Sequence, residues 1–156
     1  MKVNESDIRK IIRTCWSRGT RYKRHFGALA QVNFYGVKRK ETIGTIKIKF
    51  GPIRKDGRIA VGLMCQRVSN KNRVEHIMCI DNTIIKNKKD LEFVVAHELS
   101  HFIDHCDNRV SRHDFNFLHN MLVMLPEKRT HEVIVKFLHA YCISKKAFKK
   151  YTDVLK

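Results

Sequence analysis

Hydrophobic positions return at three- and four-residue steps near the start of the chain, gather into short β-rich runs through its middle, and resume helical steps from residue 90 onward. Over 6–18, Ile8, Ile11, Ile12, Cys15 and Trp16 share one stripe, with Arg9, Lys10, Arg13 and Arg18 mostly off it and Gly19 as a stop. This is the spacing of an amphipathic helix that buries one face. From about 30 to 85 the runs QVNFYGV, TIGTIKIKF, GRIAVGLMCQRV and VEHIMCIDNTI are strand-forming, and GPIRKDG and SNKN between them read as hairpin turns. A small antiparallel sheet is expected there.

After Asp90, the residues Leu91, Val94, Val95, Leu99, Phe102 and Ile103 mark a second helix. A third fits 112–124, with Ser111 and Asp114 as a capping pair, Phe115, Leu118, Leu122 and Leu125 as its stripe, and Pro126 as its end. Val133, Ile134, Phe137, Leu138 and Tyr141, then Phe148 and Leu155, predict one or two basic amphipathic helices beyond it. The fold class is α+β. At 156 residues the chain is expected to be one domain, 1–156, with room for a real core. A mix of 43% apolar and 30% charged residues, with two prolines and seven glycines, excludes disordered, collagen-like and low-complexity readings.

The net charge of +17 changes the picture, because it points to a polyanionic partner. It is unevenly spread. Residues 1–89 carry 22 basic and 6 acidic groups (net +16), residues 90–126 carry 2 and 6 (net −4), and residues 127–156 carry 8 and 3 (net +5). No stretch approaches the roughly 20 apolar residues of a membrane span, and MKVNESDIRK lacks the apolar run of a signal peptide. The expectation is an intracellular protein, cytoplasmic or nucleoid-associated. Cys15, Cys65, Cys79, Cys106 and Cys142 form no CxxC pair, so reduced thiols serving as small buried apolar groups are expected.

The acidic island holds the candidate chemistry. His97-Glu98-Leu99-Ser100-His101 is an HExxH pattern inside a strongly periodic helix. It sets two imidazoles one turn apart on one face, about 5–6 Å between Cβ atoms, with a carboxylate beside the first. A catalytic zinc takes three protein ligands and keeps one position open, so a third ligand is needed. His113, across the polar stretch DNRVSR, is the expected one, folding back from the first turn of the next helix. Glu127 or Glu132 from a later helix, and His105 or Asp104, are the alternatives. His105 stands about 12 Å along an unbroken helix from His97, and so requires a break after His101. Glu98 is the candidate general base, and Asp104, Asp107 and Asp114 are candidates to orient ligand N–H groups.

HELSH followed by HDFNFLHNML, with Phe117 and Met121 at the aromatic and apolar positions after His113, resembles the SprT-like (Spartan-type) zinc metalloproteases. Upstream, HFGALAQVNFYGVKRKETIGTIKIKF resembles that family's lead-in, so the likeness covers about residues 20–125. It implies a zincin-like core with an N-terminal helix, small antiparallel sheet, HExxH helix and following helices. It also implies one Zn(II) per chain on His97, His101 and His113, and cleavage of DNA-bound or DNA-crosslinked proteins. The chain departs from many members in having no four-cysteine zinc ribbon; a basic helical extension, 127–156, follows the core instead.

DNA, single-stranded or bound without regard to sequence, is the expected partner beside the protein substrate. The candidate contacts are Arg9, Arg13, Arg21, Lys23, Arg24, Lys38, Arg39 and Lys40, interleaved with Trp16, Tyr22, Phe26, Phe34 and Tyr35. The competing class is a non-catalytic nucleic-acid-binding or regulatory protein with a structural metal, in which Glu98 has no task. A cationic peptidase acting on an anionic matrix is a third class, disfavoured by the reduced thiols and missing export signal.

Overall fold

A computed structural model of the chain describes residues 2–20, 43–68, 70–71, 73–106 and 111–140. The strand expected over 31–37 lies outside the described residues. So do Tyr22, Phe26, Phe34, Tyr35, Asp107, Tyr141, Cys142, Phe148 and Leu155, and the cations Arg21, Lys23, Arg24, Lys38, Arg39 and Lys40. In chain order the described elements are helix α1 (Glu5–Thr20), strands β1 (Lys47–Phe50), β2 (Ile53–Lys55), β3 (Arg58–Ala60), β4 (Gly62–Val68) and β5 (Val74–Ile80), helix α2 (Lys88–Cys106), helix α3 (Phe115–Met124), a 3-10 turn (Glu127–Arg129) and helix α4 (Thr130–Ala140). The molecule is a mixed α+β protein, as the periodicity predicts. No described helix is long and apolar enough to cross a membrane.

Helix α1 starts where Asn4 and Asp7 cap each other: the Asp7 amide donates to Asn4 Oδ1 at 2.9 Å and the Asn4 amide to Asp7 Oδ2 at 3.1 Å. Its predicted stripe of Ile8, Ile11, Ile12, Cys15 and Trp16 is buried. At about 1.5–3 kcal/mol for each large apolar side chain removed from water, that face seats the helix on α2 and α3.

The sheet differs from the antiparallel expectation. Its order is β1-β5-β4, with β4 antiparallel to β5 across the 69–73 connection, but β1 running parallel to β5. GPIRKDG is also more than a turn. It contains β2, which pairs with β3 in a separate two-stranded hairpin closed by Asp56 (φ 53°) and Gly57 (φ 75°). An Asp-Gly pair with both φ values positive suits the tight turn whose twist matches the strands.

One face of the sheet, through Met64, Met78 and Ile80, joins the core with Val95, Leu99, Phe102 and Ile103 of α2. Close approach of β4 to α2 depends on Gly62, where a Cβ would stand 2.8 Å from both Glu98 Oε1 and Val94 Cγ1. Gly62→Val is therefore expected to destabilise the protein by about 1–3 kcal/mol, read by urea denaturation. An unchanged midpoint would contradict this contact. On the far side of α2, Arg129 is buried at 3% exposure and reaches Glu92 at 3.6 Å and Glu132 at 3.5 Å, tying α4 to α2.

Candidate metal centre

Helix α2 is continuous from Lys88 to Cys106, so His97 and His101 fall one turn apart with ring centroids 5.1 Å from each other. Helix α3 begins later than its sequence pattern suggests. Asp114 is the N-cap, its carboxylate accepting from the Phe117 amide at 3.0 Å, and His113 stands just ahead of the helix. Pinned by that cap, His113 Nε2 lies 3.1 Å from His97 Nε2 and 3.1 Å from His101 Nε2. The three expected ligands are thus brought together.

One ring nitrogen offers either a single proton or a single lone pair, so His113 Nε2 can complete a hydrogen bond to only one of these neighbours. A shared cation satisfies all three. Nitrogens about 2.0–2.1 Å from a four-coordinate ion stand about 3.3 Å from one another, close to the spacing found here. His97, His101 and His113 can therefore hold a metal ion, and they form the three-donor cluster among the described residues. Phe117, fully buried, packs against all three, with its ring centroid 4.9, 4.6 and 4.9 Å from those of His97, His101 and His113.

Ser111 is not a cap. Its hydroxyl donates to Asp104 Oδ2 at 2.9 Å and meets His101 Nδ1 through its oxygen. With the hydroxyl proton committed to Asp104, Ser111 Oγ accepts from His101 Nδ1–H. The tautomer is set by that bond, and the Nε2 lone pair faces the cluster. Asp104, one of three candidates for orienting a ligand, thus bears on His101, but through a serine that sequence spacing had assigned elsewhere. Ser111→Ala is expected to weaken metal binding about 10–100-fold, measured by competition with a chromophoric chelator. Unchanged affinity would remove the relay.

Comparison with protein-family models, curated proteins and solved structures finds no match. The geometry stands on its own.

The alternative ligands sit elsewhere. His105 turns toward His76, with ring centroids 6.3 Å apart. Glu132 is bound to Lys89 at 3.0 Å and Lys136 at 3.1 Å, which hold its carboxyl down at about 2. Glu127 opens the 3-10 turn. Asp114 serves as the α3 cap. Of the expected nucleic-acid contacts, Arg13 is exposed on α1. Arg9 is engaged within the protein, paired with Glu5 at 2.9 Å and donating to the Ile46 carbonyl at 3.1 Å.

Glu98 is buried at 4% exposure against Gly62. Desolvation pushes its carboxyl up to about 8, against the pull of the Met64 backbone and of Lys55. A cation on the adjacent imidazoles favours the ionised form. Beside His97 and Glu98 a groove of about 530 Å³ is lined by Val61, Ile84, Ile85, Phe93 and Val94.

Burial lowers His97 well below its usual range, His101 to about 3 and His119 to about 4. Between those values and about 6.5 the unfolded chain binds the extra protons, so stability falls with acidification. Glu98, raised in the folded state from 4.5 to about 8, works the other way between those values, one group against three where the windows overlap. The metal-free protein is expected to melt lower at pH 5 than at pH 7. An equal or higher melting temperature at pH 5 would contradict the burial of these imidazoles.

Proposed function

We propose that the chain is a zinc-dependent endopeptidase of the SprT-like (Spartan-type) kind, built on a zincin-like core. The observation that carries this reading is the pairing of a three-imidazole cluster with a buried carboxylate one residue from the first ligand. A purely structural site has no use for Glu98 at that position. Three neutral imidazoles with one position left open are the donor set of a catalytic zinc.

Zinc held there supplies a Lewis acid that polarises a peptide carbonyl and acidifies water. Glu98 takes the proton of the attacking water and hands it to the departing amine. The Asp104–Ser111–His101 relay keeps one ligand in the binding tautomer, and Gly62 gives the Glu98 carboxylate its place against β4. Strand β4 ends the sheet, leaving its outer backbone groups without a strand partner among the described residues. An extended peptide can pair there. The apolar groove ending at His97 and Glu98 suits an apolar substrate side chain.

The substrate class we propose is protein bound or crosslinked to DNA, inside the cell. Its support is the +16 carried by residues 1–89 together with the family resemblance of HELSH and HDFNFLHNML. The test is to incubate the zinc-loaded protein with a basic DNA-binding protein, with and without single-stranded DNA, and read the products by mass spectrometry. Cleavage that requires zinc and is enhanced by DNA is expected. One zinc per chain with no cleavage in any condition would favour a binding module with a structural metal.

A further inference from the structure

The β2–β3 hairpin stands apart from the three-stranded sheet, and a two-stranded ribbon alone is barely stable in water. It is rooted by Ile53, 7% exposed, and closed by the Asp56-Gly57 turn; beyond the root it is open to solvent, with Ile59 at 73% exposure. Such an arm needs a reason to be there. Its register places Ile53 opposite Ala60, Arg54 opposite Ile59 and Lys55 opposite Arg58. Because side chains alternate across a strand, Lys55 and Arg58 share the face of the buried Ile53, the one turned to the body, while Arg54 and Ile59 share the outer face.

Of the two inward cations, Lys55 faces the metal centre. Lys55 bears electrostatically on Glu98, His101 and His113 at once, which requires it to lie near all three. The hairpin also leads through Val61 directly into Gly62, the residue packed against Glu98.

Positive charge is dense on this arm. On the sheet, Lys47 and Arg67 are both paired with Glu75, at 3.0 and 2.6 Å. Within the hairpin Arg54, Lys55 and Arg58 have no ion pair among the described residues, and its one acid is Asp56 in the turn. Three cations without an ion pair on one exposed ribbon suit a chain of phosphates. A lipid surface would call for a cluster of apolar side chains at the tip, and the tip offers Ile59 alone.

We propose that the β2–β3 hairpin is a docking arm for the phosphodiester backbone of nucleic acid, gripping it with Arg54, Lys55 and Arg58 beside the metal centre. It rests on the nucleic-acid part of the proposed function and places the contact where a protein carried on that strand would meet His97, His101 and His113. Cations on an exposed ribbon meet phosphates, which carry no sequence information, so binding is expected to be indifferent to sequence.

The experiment measures anisotropy of a labelled 20-nucleotide single strand against zinc-loaded full chain carrying Glu98→Gln, over a salt series. The variants are Arg54→Ala/Lys55→Ala/Arg58→Ala and, as an equal-charge control outside the hairpin, Lys2→Ala/Lys10→Ala/Lys128→Ala, three exposed cations. Each phosphate contact on a single strand contributes about 0.7 to the salt slope. Loss of three contacts therefore lowers the slope by about 2 and weakens binding about 100-fold at 0.1 M salt, with zinc content unchanged. The control variant is expected to weaken binding less than about 5-fold. Equal losses in the two variants would mean diffuse attraction and overturn the docking arm, as would binding to phosphatidylserine vesicles in preference to the strand. Cleavage of an unstructured peptide without DNA, followed in parallel on the protein with Glu98 intact, reports on the protease reading separately. The arm can therefore fail while the protease stands, and the reverse.

Discussion

Glu98→Gln is expected to lower peptide cleavage by about 10²–10⁴-fold while leaving one zinc bound per chain, because it deletes proton transfer and nothing else. Glutamine has nearly the same size, so the packing against Gly62 survives. Removing a carboxyl that burial has raised to about 8 relieves a desolvation cost, and the variant is expected to melt no lower than the parent. That combination separates a catalytic carboxylate from a structural one. If the variant cleaves at the parent rate, Glu98 is a packing residue and the enzyme reading fails. If it loses zinc along with activity, Glu98 acts on the ligand set instead.

The second large effect is thermal. The cluster joins α2 to the segment before α3 through His113, and a bound ion cross-links two elements that otherwise meet by packing. An ion present at about 1,000 times its Kd adds about 4 kcal/mol to folding stability. For a chain of this size that corresponds to a melting temperature higher by about 10 °C. A chelator is expected to remove the increment from the parent protein. His113→Ala is expected to melt near the chelated temperature from the start and to respond little to chelator. A parent protein whose melting temperature ignores both zinc and chelator would contradict the cluster as a binding site.

The helical part of this molecule was readable because its faces repeat locally. Ile8, Ile11, Ile12, Cys15 and Trp16, and later Leu91, Val95, Leu99, Phe102 and Ile103, are spaced for burial on one side, and they are buried. The HExxH pair was equally local, since a helix converts that spacing into a shared face. His113 could be chosen from the chain, but its placement ahead of the helix could not: Asp114 is the cap, so the helix opens at Phe115, three residues after the expected start at 112.

What escaped depended on contacts between distant segments. The parallel pairing of β1 with β5 joins Lys47 to Ile77, and nothing in KIKF encodes strand direction. β2 hid inside a segment whose glycines and proline looked like a turn. Ser111 obeyed the spacing of a capping residue yet bonds across to Asp104 and His101, a choice made by the fold. Gly62 and Lys55 carried no signal at all, because their importance comes from what β4 and the hairpin approach.

The claim at the centre of this account is a zinc ion held by His97, His101 and His113, and zinc-edge X-ray absorption on the zinc-loaded protein tests it most directly. The account predicts three imidazole nitrogens and one oxygen ligand at about 2.0–2.1 Å, with one imidazole lost in His113→Ala. A sulfur shell at about 2.3 Å, or an unchanged spectrum in that variant, would place the metal elsewhere and contradict it.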